Sequence, residues 1–445
     1  MKQYRYLLIL LTLLISPIQV NSQSPSSQLD KMIQQGMDDW HIPGLATVVV
    51  KEGKVVFSQV YGVKDVGSKA EVDRETLFNM GSTTKAVVCM ALGVLVDQGK
   101  LQWEDKVRDH LPEFKLSDAY LTEEARVQDL LTHNLGIAGA DLLWVLSMAK
   151  KAYPARGGYQ YNNLMYAVAG EVIHSVSGMH WADFVKKAIF EPLQMRRTVA
   201  RAAEIFSAGN YVTPYFYEEG KGFIEVPHDL SDQIGAAGMI WTCAEDMENY
   251  LEMLVGGGVY RENKILEPET FAYLFRPHAL LTAADFYPTT QLTQPHWLSY
   301  GLGWFQHDYR GRKLDFHTGS IGGLVAIAGI MHDTKTAVYV LANRDHAELR
   351  HAIMYQALDL WAFEESSRDW HQEISALYDG IRKTQEEQEQ NLLERRKMGT
   401  NTSLPLDAYM GTYAHPMLGK VVITPAADGI ELRFNDFVSF TGQHW

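Results

Sequence analysis

The chain has 445 residues, of which 46% are hydrophobic and 21% are charged. This composition is typical of a globular protein with a sizeable core, and it excludes a globally disordered chain. The net charge of −14, without a dense run of Lys and Arg, argues against nucleic acid as a partner, because phosphate binding needs clustered cations.

The first 22 residues, 1–22, predict a secretory signal peptide. Lys2 and Arg5 precede a short apolar run from Tyr6 to Ile15, and Val20-Asn21-Ser22 offers small residues for cleavage. The run is short for a bilayer span, and a retained N-terminal anchor is the alternative. No later stretch predicts a transmembrane helix. We therefore expect a periplasmic or secreted protein with no integral span once the signal is removed.

The next elements are two strands and a buried helix. Leu45 to Lys51 and Lys54 to Tyr61 are rich in β-branched residues and predict a strand pair. Residues 82–98 are apolar nearly all round, which predicts a buried helix that ends at Gly99. Cys89 lies inside this helix, so we expect a buried free thiol.

Helices dominate the middle of the chain, and strands return near residue 301. Residues 162–176 predict a helix that closes near Gly178, and 346–361 predict another. Gly301 to Phe305, Leu324 to Met331 and Ala337 to Asn343 predict strands. This order predicts an α+β fold, with an antiparallel sheet whose two ends come together around a helical insertion.

The last part of the chain differs in composition. Residues 366–398 predict a long, mostly solvated helical linker. Residues 404–445 predict a small β region of three or four strands, with a hairpin turn at Asp428-Gly429. A closed barrel takes about eight strands. The region is therefore either part of a barrel or a set of strands that packs elsewhere, such as over an active-site mouth.

The first chemical motif is Gly81-Ser82-Thr83-Thr84-Lys85. Side chains three apart on a helix share a face, so Ser82 and Lys85 would be neighbours. A serine hydroxyl needs a base to become a nucleophile, and burial and the helix dipole both lower the pKa of a lysine. On its own the pair also fits a capping serine beside a solvated lysine.

Two further motifs follow. Tyr161-x-Asn163 puts a phenol and an amide on one side of a turn, and we expect the nearby lysine to let Tyr161 ionise more easily. In His317-Thr318-Gly319-Ser320, Gly319 would let a substrate backbone approach closely. His317 and Thr318 could contact substrate, and the Ser320 N–H could complete an oxyanion hole. Alone, either motif also fits a purely structural role.

Together, and in this order, the motifs resemble those of β-lactamases and penicillin-binding proteins, which carry Ser-x-x-Lys, Ser-Asp-Asn and Lys-Thr-Gly. The chain is most similar to the Tyr-x-Asn branch, with class C β-lactamases, D-alanyl-D-alanine carboxypeptidases and related esterases. The resemblance covers residues 28–362, and 404–445 resembles part of a lipocalin-like domain. Its further landmarks are residues 40–44, 130–133, 235–239 and 300–304.

This resemblance implies a mechanism and the residues that carry it. Ser82 would form an acyl-enzyme, Lys85 and Tyr161 would shuttle its proton, and Asn163 would orient the lysine or the substrate amide. The N–H groups of Ser82 and Ser320 would hold the oxyanion. Neither a metal nor an organic cofactor would be needed.

One departure bears on the substrate. His317 stands where the lactamases carry lysine, and a histidine is only partly charged at neutral pH. The sequence therefore favours an exported hydrolase of small peptides, amides or esters, with D-residue and cell-wall peptides among the candidates. The alternatives are a class C-type β-lactamase and a catalytically silent wall-binding or sensor protein of the same fold. The sequence leaves the oligomeric state open.

Overall fold

A computed structural model describes residues 24–136, 154–228, 231–415, 419–427, 429–436, 438–442 and 444. The predicted signal peptide lies outside the described residues, as does Asp428 of the predicted hairpin turn. Cys89 and Cys243 are buried free thiols. Within the described ranges, none of the helices combines the length and the apolarity needed to cross a membrane.

Most helices fall between the N-terminal and C-terminal strands of the main sheet. In chain order they are α1 (Pro25–Asp39), α2 (Thr84–Asp97), α3 (Val107–His110), α4 (Ala119–Glu124), α5 (Val127–Leu131), α6 (Asn163–Ser177), α7 (Trp181–Val185), α8 (Ala202–Ala208), α9 (Gly235–Gly238), α10 (Ala244–Val255), α11 (Pro268–Leu274), α12 (Thr290–Thr293), α13 (Leu349–Ala362) and α14 (Trp370–Glu394).

The strands cluster at the two ends of the chain. In chain order they are β1 (Gly44–Lys51), β2 (Lys54–Asp65), β3 (Ala70–Glu71), β4 (Phe78–Asn79), β5 (Tyr215–Glu218), β6 (Gly222–Glu225), β7 (Trp241–Thr242), β8 (Val259–Tyr260), β9 (Asn263–Lys264), β10 (Ala279–Leu280), β11 (Leu298–Tyr300), β12 (Phe305–Tyr309), β13 (Arg312–Ile321), β14 (Leu324–Met331), β15 (Thr336–Ala342), β16 (Gly411–His415), β17 (Gly419–Ala426), β18 (Gly429–Phe434) and β19 (Val438–Gly442).

The main sheet brings together strands from the two ends of residues 44–342. In the described part of the chain its strand order is β10-β11-β12-β13-β14-β15-β1-β2-β3, and neighbouring strands run antiparallel. β1 pairs with β15 along its length, from Leu45 opposite Ala342 to Lys51 opposite Thr336. The predicted α+β fold, with an antiparallel sheet in which N-terminal and C-terminal strands pair, is confirmed.

Helices cover both faces of this sheet, which explains why its central strands are continuous apolar runs. Successive side chains of a strand point to opposite faces. Val48 accordingly joins the core that contains α2, α6 and α10, whereas Val49 joins the core that contains α1 and α13. The site described below lies where α2 meets the sheet.

Three predicted boundaries are corrected. The segment from Gly301 to Trp304 is a turn between β11 and β12, not a strand, and only Phe305 is extended. Gly303 has φ +80°, and a Cβ there would lie 2.8 Å from the Ala86 Cα, so the turn packs tightly on α2. The helix predicted from residue 346 begins at Leu349, and a 3-10 turn over Gly81–Thr83 precedes α2.

The C-terminal region is built differently. The first turn of α14 packs on the sheet domain through the buried Trp370 and Ile374, and the helix is exposed from residue 382 onward. Strands β16 to β19 then form a separate four-stranded antiparallel sheet in sequential order. Of the residues described beyond 394, every one is half-buried or exposed.

Candidate active site

Ser82 lies in the 3-10 turn between β4 and α2, and its side chain is half-buried. The preceding Gly81 has φ +51°, a conformation that a side chain disfavours. A Cβ at Gly81 would also lie 2.6 Å from the Ser320 backbone nitrogen and 2.8 Å from the Gly319 Cα. Glycine at this position therefore lets β13 approach the serine closely.

Lys85 lies one turn further on and is fully buried. Its Nζ donates to Ser82 Oγ at 2.9 Å and to the Ala237 carbonyl at 2.7 Å. The ring centroids of Tyr161 and Tyr166 lie 4.9 and 5.3 Å from Nζ. Burial lowers the pKa of Lys85 well below its ordinary value. A neutral amine in this place can accept a proton from Ser82.

Tyr161 and Asn163 flank Asn162, whose side chain caps α6 by accepting from the Leu164 N–H at 2.9 Å. Burial raises the pKa of Tyr161, although the Ser82 hydroxyl acts in the opposite direction. The expected easier ionisation of Tyr161 is therefore wrong, because burial disfavours the charged phenolate. The Asn163 Oδ1 is buried and has no hydrogen-bond partner among the described residues.

His133 packs against the segment that carries Tyr161 and Asn162. Its Nδ1 accepts from the Asn162 N–H at 3.1 Å, and its ring lies 4.3 Å from that of Tyr161 and 5.1 Å from that of Tyr300 between centroids. Burial and the nearby Lys85 lower the pKa of His133. A neutral histidine in these contacts holds the loop in place.

His317 lies inside β13 and is 1% exposed. Its Nδ1 donates to the Thr318 carbonyl at 2.6 Å, and its Nε2 accepts from the Tyr300 hydroxyl at 2.9 Å. Burial, with a contribution from Lys85, lowers the pKa of His317 to about 3. The ring is therefore neutral at physiological pH, and both of its nitrogens are engaged within the protein.

The next three residues of β13 are fixed from two sides. The Thr318 hydroxyl lies 2.5 Å from the Tyr287 hydroxyl. Arg350 donates through Nη1 to the Gly319 carbonyl at 2.6 Å and to the Ser320 Oγ at 2.9 Å. Ser320 is exposed, so the site opens to solvent beside its backbone.

Gly319 explains how β13 fits against the serine turn. A Cβ at this position would lie 2.0 Å from the Met80 carbonyl oxygen. Only glycine permits this approach of the Met80 backbone. The close approach of a substrate backbone to Gly319 stays a prediction. The structure thus places seven of the eight predicted site residues around Ser82 and the facing part of β13, and Asn163 lies at the start of α6, two residues after Tyr161.

Sequence reasoning missed several side chains and one carbonyl group. Ala237 and Tyr300 lie inside landmark segments, and Tyr166 follows Asn163 by three residues on α6, so each carried a weak signal. Nothing in the local sequence marked Tyr287, Glu348 and Arg350, because their contacts are long-range. The missed groups are Ala237, Tyr166, Tyr287, Tyr300, Glu348 and Arg350.

Known proteins resemble this chain over most of its length. The family model described as Beta-lactamase matches residues 29–360. The Unguisins hydrolase ungD' of Aspergillus campestris is 24% identical over 425 residues, covering 88% of this chain and 76% of the relative. Protein flp of Staphylococcus aureus strain MW2 is 23% identical over 333 residues, covering 71% of this chain and 62% of the relative.

Two solved structures share the fold. The octameric penicillin-binding protein homologue from Pyrococcus abyssi superposes with a TM-score of 0.68 at 22% identity, covering 93% of this chain and 89% of its own. A class C beta-lactamase superposes with a TM-score of 0.63 at 19% identity, covering 77% of this chain and 97% of its own. At these identities the superpositions show the fold alone.

Proposed function

The chain belongs to the Beta-lactamase family, and on that basis we propose that it is an exported serine hydrolase that forms an acyl-enzyme on Ser82. The observation that supports this most directly is the 2.9 Å contact between Ser82 Oγ and Lys85 Nζ, made where burial suppresses the lysine charge. We propose peptides, amides or esters as substrates, with D-residue and cell-wall peptides among them.

Acylation begins with the removal of a proton from Ser82. For this step the Lys85 amine must be neutral and must turn its lone pair, in place of an N–H, toward the Ser82 O–H, while it keeps donating to the Ala237 carbonyl. As the proton moves to Nζ, Oγ attacks the substrate carbonyl carbon. The developing oxyanion lies between the backbone N–H groups of Ser82 and Ser320, which β13 brings together.

The leaving group then departs with a proton. Tyr161 is a phenol in the resting site and can donate to the leaving nitrogen or oxygen, while the ammonium of Lys85 returns a proton to it. Water, deprotonated by the same pair, attacks the acyl carbon; the bond between that carbon and Ser82 Oγ breaks, and Oγ takes the proton back from the pair. The unpartnered Oδ1 of Asn163 is suited to accept an N–H from the substrate amide.

Export is proposed from residues 1–22, and a periplasmic or secreted location follows from it. A class C-type β-lactamase remains the alternative activity, and rapid turnover of nitrocefin would favour it. A silent wall-binding or sensor protein is the alternative without turnover. The relatives described as hydrolases and the assembled serine–lysine pair both support turnover.

A fluorescent phosphonate tests the nucleophile, because it reacts only with an activated serine. We expect labelling of the wild type, loss of labelling in Ser82→Ala, and unchanged labelling in the control Ser207→Ala, which alters an exposed serine on α8. Absence of wild-type labelling, or equal labelling after Ser82→Ala, would contradict the proposal. D- and L-amino-acid amides, p-nitrophenyl esters and nitrocefin, assayed on one sample, then identify the substrate class.

A further inference from the structure

The sheet formed by β16 to β19 has two faces of different composition. Successive side chains of a strand point to opposite faces, and residues that lie opposite each other in a strand pair share a face. Tyr413 lies opposite Val421, Val421 lies opposite Phe434, and the same alternation continues into β19. One face, which we call the apolar face, therefore consists of Tyr413, Val421, Ile423, Pro425, Ile430, Leu432, Phe434, Val438 and Phe440.

The opposite face, which we call the polar face, suits contact with water. Its charged side chains are Lys420, Glu431 and Arg433, and the Thr424 hydroxyl donates to Glu431 Oε2 at 3.3 Å. Its other members are Thr412, Ala414, Val422, Ser439 and Thr441. An antiparallel sheet with this alternation is stabilised when a second layer covers its apolar face.

The described part of the chain does not supply that layer. The residues of the apolar face belong to neither hydrophobic core of the main domain, and they are not among the half-buried residues that pack against those cores. Tyr413 is 48% exposed and Phe440 is 57% exposed. The ring centroids of Phe434 and Phe440 lie 5.8 Å apart, so these exposed side chains form one continuous patch.

We propose that the apolar face binds the apolar face of a second copy of this chain across a twofold axis. A twofold contact joins a surface patch to the same patch, so an apolar face is matched by itself and needs no other complementary surface. The two sheets would form a sandwich in which both polar faces point to solvent. This inference does not depend on the proposed function.

The distribution of charge permits two such faces to meet, although the chain carries a net charge of −14. No Asp, Glu, Lys or Arg lies on the apolar face, because the charged side chains of these strands are all on the polar face. Like carboxylates are therefore not brought together in the contact, and no charged group of either strand pair loses its hydration there.

The edge strands of the two sheets differ in a way that also indicates association. Proteins commonly protect a sheet edge by making it very short or by placing a charge or a proline on it. The edges of the main sheet, β3 and β10, have two residues each. The edges of the C-terminal sheet, β16 and β19, have five residues each and contain no proline, carboxylate, lysine or arginine. The C-terminal sheet thus lacks the features that keep a sheet from binding another chain.

The size of the apolar face limits the strength of the contact. Four strands about 4.8 Å apart and about 17 Å long have a footprint of about 330 Å². Even with the added area of protruding side chains, this is less than the roughly 800 Å² per partner of a stable interface. We therefore expect a dimer that forms at tens of micromolar and dissociates in dilute solution. The contact uses no residue of the main domain, so the unfolding of that domain and kcat/KM should not depend on it.

Sedimentation velocity tests the inference on the chain from residue 23 onward, at concentrations from about 1 to about 200 μM. For the wild type we expect the average mass to rise from that of one chain toward that of two. Phe440→Glu would put an unpaired carboxylate into the contact and should weaken association by about tenfold or more. The control Ser439→Glu adds the same charge to the neighbouring exposed residue, which lies on the polar face, and should leave association unchanged.

A second pair of variants repeats the comparison on β16. Tyr413→Glu changes the apolar face and should weaken association, whereas Thr412→Glu changes the polar face and should not. Circular dichroism of each variant shows whether the small sheet is still formed. If Phe440→Glu unfolds it, the pair on β16 decides.

A wild type that stays monomeric at about 200 μM would overturn the inference. Binding of the dye ANS by that monomer would then indicate that a different partner covers the apolar face, and absence of binding would indicate that another part of the same chain covers it. Assemblies of more than two chains would contradict a closed twofold contact. Equal weakening by the variants of both faces, or no weakening by Phe440→Glu and Tyr413→Glu, would contradict the assignment of the contact to the apolar face.

Discussion

The main sheet and the C-terminal sheet are both antiparallel, yet they differ in what covers them. Every residue of β1 except Lys51 is buried, whereas every residue of β16 is exposed. Hydrogen-bonded strand pairing is therefore common to the two sheets, and apolar burial is what distinguishes them. The difference bears on function, because only the covered sheet provides a dry place in which a lysine can be held neutral.

Replacement of Lys85 should have the largest effect on activity. Lys85→Met keeps the buried volume but removes the base, and we expect hydrolysis to fall by about 10³-fold or more. The free energy of unfolding should change by no more than about 2 kcal/mol, since a costly buried amine is exchanged for one unpaired carbonyl. Steady-state kinetics and urea denaturation measure the two effects.

The matched control is Lys100→Met, which changes an exposed lysine just after α2 and should leave both measurements unaltered. Phosphonate labelling of Lys85→Met at the wild-type rate would show that another group activates Ser82. In that case the lysine buried beside the main sheet would not be the base, and the chemical difference between the two sheets would disappear.

Truncation of one aromatic residue in each region tests whether the two regions contribute differently to the free energy of unfolding. Trp370 is fully buried, stacks on Tyr355 at 4.5 Å between centroids and donates from Nε1 to Asp359 at 2.7 Å. Trp370→Ala should lower the free energy of unfolding by about 3–5 kcal/mol. Phe440 is 57% exposed, and Phe440→Ala should change it by less than about 0.5 kcal/mol.

Denaturation followed by circular dichroism measures both variants on the transition of the main domain. Equal effects of the two substitutions would mean that the C-terminal sheet is buried in solution against a surface that the structure leaves open. The comparison between the regions would then fail.

The pH dependence of kcat/KM tests whether Lys85 is desolvated. The active form of Lys85 is the neutral one, so kcat/KM should fall as the pH drops through its lowered pKa, by about tenfold per pH unit below it. His317, whose pKa is about 3, should add no titration near neutrality. His317→Gln should therefore leave the position of the limb unchanged. An acidic limb whose midpoint lies near the ordinary pKa of lysine would contradict the argument that burial lowers the pKa of Lys85.

Removal of residues 404–445 should have the smallest effect. Because no described residue beyond 394 is buried, we expect kcat/KM to change by less than about twofold and the main Tm by less than about 2 °C. A large loss of activity would instead indicate that these strands contact the active-site mouth, which is the second arrangement that the sequence allowed.

The sequence predicted the parts of the site that depend on local spacing. Ser82 and Lys85 are three residues apart, so helical periodicity alone put this pair together. Composition also predicted strands close to the observed β1, β14 and β15. The assignment of residues to the signal, linker and lipocalin-like regions stays a prediction.

What the sequence missed depends on contacts between distant segments. The turn at Gly303 was predicted as a strand because its fit against Ala86 is invisible in local composition. Likewise, Glu348 and Arg350 lie on a helix start with no motif, and only the fold brings Arg350 to the Gly319 carbonyl. The sequence also missed that the pKa of Tyr161 is raised, because the cause is burial, which a motif does not report.

The pairing of β1 with β15 also bears on when the protein can fold. The Gly44 N–H donates to Asn343 Oδ1 at 2.6 Å across 299 positions of sequence. Long-range strand pairing is slow, because the closure entropy of the intervening loop must be overcome first. During synthesis one edge of β1 has no partner until β15 has been made. We therefore expect the main sheet to close only late in synthesis, which would leave the chain open for the proposed export.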